Sequence, residues 1–328
     1  MREVPPAALL VIFALFALLP LTGDRWLMQL ATEMMVLGLF AIAFNVLLGH
    51  AGLVSFGHAA YFAIGGYSCL ILLTTYEWPL LLALPAAALI SAAAALLVGA
   101  VCVRLTEIYF AMLTLAFGQL VFAVAFKWNR VTGGDNGFVG VRMPEVLRAE
   151  APFLYFTLAV VALCVLALFA INSSAFGQIL HATRENPMRA AFVGVNVRLV
   201  RLTAFVVSGT FSGVAGALFG LFKRSMFPEA AYWTRSADVL IMTILGGIYS
   251  FFGPFLGAVV MVLLNRVTAQ FTVYWPTVLG LTLLLVLFVM PNGLVGLFPA
   301  EPRHHARAAR PLEALRRLLG RGQRQPEG

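Results

Sequence analysis

From Pro79 to Val103 the chain carries no charged residue: PLLLALPAAALISAAAALLVGAVCV. A run of that length matches bilayer hydrocarbon, which takes about 20 helical residues to cross. Lipid offers no water to peptide groups, so such a run must close its own hydrogen bonds, as a helix or in a closed barrel. Nine further apolar runs lie at residues 7–22, 28–48, 56–75, 107–126, 152–171, 201–222, 237–249, 253–269 and 276–290. They are continuous rather than alternating, which excludes a barrel. With 61% hydrophobic and 11% charged residues and a mean hydropathy of +0.93, a soluble domain is excluded as well. The expected fold is an all-α polytopic membrane protein of about 8–10 transmembrane helices.

Charge sets the expected topology. The net charge is +8, with 22 basic residues of which Lys127 and Lys223 are the only lysines. In a soluble protein this balance would suggest nucleic acid. Here it reads as the positive-inside bias of cytoplasmic loops, with no nucleic-acid partner. The N-terminal segment resembles a signal peptide but carries Glu3 and lacks a small-x-small site, so residues 7–22 are read as an uncleaved span. Two polar segments interrupt the runs, an external loop at about 127–151 and a cytoplasmic insert at about 172–200. Keeping the insert and the tail on one side makes 237–269, broken by GGIYSFFGP, two short crossings. That gives ten crossings with both ends inside and 13 of the 22 basic residues on the inner side. The transmembrane domain is then 1–298, followed by an Arg-rich cytoplasmic tail at 299–328.

Several chemistries have no residues to support them. There is no G-x-x-x-x-G-K-[S/T] loop for nucleotide, no H-E-x-x-H, no G-x-S-x-G and no paired Cys/His spacing. No catalytic residue and no metal ligand is expected. Cys69, Cys102 and Cys164 sit singly in apolar runs and read as packing residues. A stand-alone ion-coupled carrier would need an ionisable group at depth. Glu107 and Asp238 lie near run ends, which leaves only Glu33 for that role.

The insert carries the clearest local signals. Asn186-Pro187 starts a helix, since Asn caps a free N–H and Pro suits the first helical position. Two turns, MRAAFVG, follow, and Gly194 offers a stop. Met188, Ala191 and Phe192 share one side and Arg189 the other, with Arg184, Glu185 and Arg198 as brackets. Two readings stand together: a docking helix for another protein, or a solvated loop holding inside arginines. In the next run Ser208, Ser212, Gly216 and Gly220 recur every fourth residue, with Gly209 and Gly213 adjacent. This ridge permits close helix approach, as structural packing or as a sliding face. Asn45, Ser55, His58, Thr114 and Gln119 are the polar side chains that a path through glycine-interrupted helices could use. The isolated histidines read first as structural residues. This palette suits an uncharged or zwitterionic solute.

Three segments together resemble the LivM-type permease subunits of branched-chain amino-acid ABC importers. They are Asn45–His58 running on to Gly65-Gly66-Tyr67; the loop Thr132–Gly140; and Arg184-Glu185-Asn186 with Ala190-Ala191, Gly194, Asn196, Ala204-Phe205, Leu245-Gly246-Gly247 and Gly253-Pro254. The resemblance covers roughly residues 30–297. It implies a type II-like ABC importer bundle in a bacterial inner membrane, with Arg184–Asn196 as the cytoplasmic loop that docks an ATPase. Pro187 stands where many members carry an acidic residue. The implied partners are a second, LivH-type permease, two ABC ATPases that hold ATP and Mg, and an external solute-binding protein; this chain itself needs no cofactor. The implied substrates are Leu, Ile or Val, with urea or short amides as alternatives. A secondary transporter acting alone, a membrane-embedded enzyme and a membrane scaffold are the readings from other classes.

Overall fold

The computed structural model describes residues 14–105, 107–141, 143–271, 277, 280–281, 284 and 293–297. Its centre is α1 (Arg25–Asn45), which is capped by Asp24 accepting from the Trp26 N–H at 2.9 Å and continues through a π-helical turn, Val46–His50. Nearly every residue from Ala31 to His50 is buried. The chain continues through α2 (His58–Thr74), α3 (Leu80–Cys102), α4 (Glu107–Lys127) and α5 (Glu150–Ser173), of which α5 packs on α1 and α2 touches it through Phe62 against Phe40. The insert forms α6 (Ala175–Glu185) and α7 (Pro187–Phe192), and α8 (Val197–Lys223) follows. The last pair is α9 (Trp233–Gly246) and α10 (Gly253–Phe271).

Six of these helices, α1, α3, α4, α5, α8 and α10, are long and apolar enough to cross a membrane. Their burial explains why the outer runs are apolar all round. Leu81, Leu89 and Leu97 of α3, Met112 and Leu120 of α4, and Leu163 and Leu166 of α5 are exposed large hydrophobics, as lipid-facing positions must be. The expected span 276–290 lies almost wholly outside the described residues, and residues 7–13 of the first expected span, 7–22, and the tail 299–328 lie outside them as well.

Small residues set the packing of the inner layer. The α8 backbone meets α2 so closely that a Cβ at Gly65 would strike the Gly213 carbonyl, and one at Gly216 would strike that of Phe62. Successive contacts advance in the same direction, His58 with Ser208, Gly65 with Gly213 and Leu70 with Gly220, so the two helices run parallel. On its other sides α8 faces antiparallel neighbours. Ser208 Oγ donates to the Ala43 carbonyl of α1 at 2.6 Å, and Gly209 faces Ala95 of α3.

The stretch expected as a short span at 237–249 takes a different form. Its helix starts earlier, at Trp233, and ends at Gly246, while residues 247–252 make a turn that buries Ser250, Phe251 and Phe252. At 14 residues α9 is about 21 Å long, too short to cross. Its start lies well inside the bundle. The Ala59 N–H donates to Ser236 Oγ at 2.9 Å, next to His58, whose ring bonds Ser208. Ser208 is about 16 Å along the roughly 40 Å of α8. The first turn of α9 is therefore near half depth, and α9 and α10 form a hairpin whose tip faces the insert.

At the opposite end, the loop around 127–151 is more ordered than an irregular connection. A single turn, Asn129–Thr132, is pinned by Thr132 Oγ1 donating to the Ala125 carbonyl at 2.6 Å. Then β1 (Phe138–Val139) pairs antiparallel with β2 (Ser225–Met226), tying the loop to the residues just after α8.

Candidate functional site

Two regions carry the residues that chemistry can use. The first is the insert. Asn186 Oδ1 accepts from the Arg189 N–H at 2.9 Å and Pro187 occupies the first helical position, as the Asn-Pro signal predicts. Gly194 (φ +90°) ends α7, with its N–H donating to the Ala191 carbonyl. Asn196 Oδ1 then caps α8 by accepting from Leu199 N–H at 3.2 Å. Ala190 is buried beneath α7, whereas Met188, Phe192 and Val193 are among the most exposed hydrophobics of the molecule, at 70%, 85% and 81%. Ala191 and Glu185 are exposed as well.

Arg184 fastens the insert to the bundle. Its Nη1 donates to the Gly49 carbonyl in the terminal turn of α1, and its guanidinium lies 4.9 Å from the Tyr249 ring centroid at the hairpin tip. A cation at the carboxyl end of a helix is favoured by the exposed carbonyls. Beside it the rings of His50 and His181 meet edge to face at 4.8 Å, and His50 stacks on Phe251. Burial, and next the Arg184 charge, hold the His181 imidazole below its ordinary pKa. One side chain thus joins the insert, the central helix and the hairpin.

The ridge residues are packing residues in this structure. Ser208 and Ser212 are buried, with Ser212 Oγ donating to the Ser208 carbonyl at 2.7 Å. A Cβ at Gly213 would strike Ser91, and Gly220 lies against Leu70.

The polar residues expected along a path are mostly held inside the bundle. Asn45 Nδ2 donates to the Ser250 carbonyl at 3.0 Å. The His58 ring bonds Ser55 at 2.9 Å and Ser208 at 2.8 Å, among the rings of Phe44, Tyr61 and Phe205. Gln119 is half-buried on α4. None of the four lines the cavities described below. The reason is physical: a buried polar side chain must find a partner, and Asn45 and His58 find theirs within the bundle, in Ser250, Ser55 and Ser208.

The second region was not foreseen as a unit. Glu33 of α1 accepts from Arg266 of α10 at 2.9 Å and lies 3.5 Å from Lys223 of α8. Arg235 and Asp238, in the first turns of α9, are 3.8 Å apart. The Arg235 guanidinium lies 5.1 Å from the centroid of Phe219 and 6.0 Å from that of Phe62. These charges line two cavities, of about 470 and 320 Å³. Glu33 and Asp238 stood out in the sequence as ionisable groups, but their three cations did not. The available signal was the charge bias itself, since Lys223, Arg235 and Arg266 are basic residues kept away from the insert side.

A family model described as "Branched-chain amino acid transport system / permease component" matches residues 26–290. The chain belongs to this family. The permease is 30% identical to the high-affinity branched-chain amino acid transport system permease protein LivM of Escherichia coli (strain K12), over 84% of this chain and 71% of that protein. It is 23% identical to the corresponding LivH of the same organism, over 79% of this chain and 90% of that one. A probable LivM of Methanocaldococcus jannaschii is 24% identical over 61% of the permease and 62% of that relative. No solved structure matches. The match to the family model spans α1 to α10, so both regions of the permease lie within it.

Proposed function

We propose that this chain is the membrane-spanning subunit of an ATP-driven, binding-protein-dependent importer of branched-chain amino acids in a bacterial inner membrane. It would supply half of the translocation path, with a LivH-type permease supplying the other half. ATP, with Mg, would be hydrolysed on two ABC ATPase subunits, and an external solute-binding protein would deliver Leu, Ile or Val. The observation that carries this reading is the insert: a capped helix with Met188, Phe192 and Val193 bared, anchored through Arg184 to the end of α1. An exposed apolar face on a short, rigid helix is suited to a groove in a partner.

In this proposal Arg184, Glu185, Asn186, Pro187, Ala190, Ala191, Gly194 and Asn196 form the cytoplasmic docking segment, within a loop at about 172–200. An ATPase that closes on ATP displaces α7, and Arg184 passes the displacement to α1 and to the hairpin tip. The ridge of Ser208, Ser212, Gly213, Gly216 and Gly220 carries α2 along with α8. The segment 127–151 is the external loop and faces the binding protein.

The test is reconstitution of this chain with a LivH-type permease, the ATPases and the binding protein in vesicles. ATP-dependent leucine uptake is expected from the full set and none from the chain alone. Leucine uptake by the purified chain driven by an ion gradient would overturn the proposal.

A further inference from the structure

On the reading that the permease carries amino acids, we propose that the two adjoining cavities beside α9 are its own binding site for a zwitterionic amino acid with an apolar side chain. Both cavities are lined by Arg235 and Asp238, which form the boundary between them. The larger adds Lys223 and Glu229, and the smaller adds Glu33 and Arg266. Their volumes, about 470 and 320 Å³, fall at the small end of the range of ligand sites. Arg235 and Asp238 stand in the first turns of α9, near half depth, where ionised groups cannot face lipid at reasonable cost, so this face of the bundle must meet water, a ligand or another chain.

The charges match a zwitterion in kind and arrangement. Glu33 is shared between Lys223 and Arg266, so one cationic charge of the trio is uncompensated and can take a carboxylate. The separation of Arg235 and Asp238 is beyond hydrogen-bond length, and the arginine lies over Phe219 instead. The Asp238 carboxylate is thereby left to accept from an ammonium group. Asn265 lines the smaller cavity as well and adds an uncharged amide to its wall. Leu37, Met242, Met261 and Val262 line the same cavity and offer an apolar bed. Methionine in particular accommodates side chains of differing shape.

The test uses the complete assembly in vesicles, with Thr234→Cys reporting on the larger cavity and Ala269→Cys on the smaller. The native Cys69, Cys102 and Cys164 are buried. A small water-soluble thiol reagent should modify both cysteines. Leucine at about ten times its dissociation constant should slow this about tenfold. Leucinamide and 4-methylpentanoate, each lacking one of the two charges, should protect far less. Asp238→Asn should abolish protection by leucine while the cysteines still react. Failure of both cysteines to react would show that the second permease seals the cavities and would overturn the proposal, as would equal protection by the three compounds or none by leucine. Leucine uptake by the unmodified assembly is measured in the same vesicles. Absence of uptake removes the transport reading, whereas uptake without protection removes this site alone.

Discussion

Arg184 is the residue whose replacement most directly probes how the insert acts. In Arg184→Gln the charge-assisted bond to the Gly49 carbonyl and the contact with Tyr249 both go. A hydrogen bond to a charged group contributes about 1.5–3 kcal/mol, and a cation–π contact at an exposed ring about 0.5–1 kcal/mol. Tyr249 is 56% exposed and the glutamine amide can recover part of the first bond, so a net loss of about 2 kcal/mol is expected. If that energy is what couples the insert to α1, leucine moved per ATP hydrolysed falls about 30-fold. The assay is uptake and phosphate release measured together in vesicles, with assembly checked by co-purification of the ATPases. ATP hydrolysis should persist while uptake falls. Tyr249→Leu should cost only the ring contact, about 0.5–1 kcal/mol. Arg184→Lys should fall between the two, because an ammonium keeps the charge but not the planar stacking. A normal ratio of leucine to ATP in Arg184→Gln would refute the coupling argument, since no other side chain bonds the Gly49 carbonyl among the described residues.

Three further outcomes follow from the same geometry. Asn186→Ala removes the cap of α7 and should cost about 1 kcal/mol, read as faster hydrogen exchange at 187–192, with Asn186→Asp restoring protection. Gly213→Val places a branched side chain against Ser91 and towards the Tyr61 carbonyl; overpacking of this kind costs about 1–3 kcal/mol and should lower the thermal midpoint of the purified protein. His181 has a lowered pKa in the folded chain, so the unfolded chain binds more protons as pH falls below the ordinary value of 6.5, and the stability contribution present above that pH is lost below it. Between His50, Arg184 and Glu185, protonated His181 should loosen α6, giving faster exchange at 175–185 at about pH 5.5 than at neutrality, and His181→Gln should remove the difference.

What could be read from the sequence was what depends on neighbours along the chain. Asn186, Pro187 and Gly194 act within one turn of themselves, so the start and stop of α7 were legible from residue type alone. The apolar runs were equally legible, since lipid makes length a sufficient criterion. The start of α9 was not. Residues 233–236 precede the apolar run read from 237, and only the bond between the Ala59 N–H and Ser236 Oγ reveals that they lie near half depth. Asn45 and His58 have the chemistry of path residues, but their partners, the Ser250 carbonyl and Ser208 Oγ, are 205 and 150 residues away. The charged cavities likewise collect side chains from α1, α8, α9 and α10, and no spacing in the sequence signals that meeting.

The parallel crossing of α2 and α8 has a mechanical meaning. Where Gly65 meets Gly213 and Phe62 meets Gly216, peptide lies on peptide with no layer of side chains between. Rotamers that would absorb a small displacement are missing at that seam, and a packed backbone contact is stiff. The two helices should therefore behave as one beam. A push delivered near Arg198, at the insert end of α8, reaches Lys223 at the far end undamped, at the mouth of the charged cavities and beside the strand that holds the loop around Phe138.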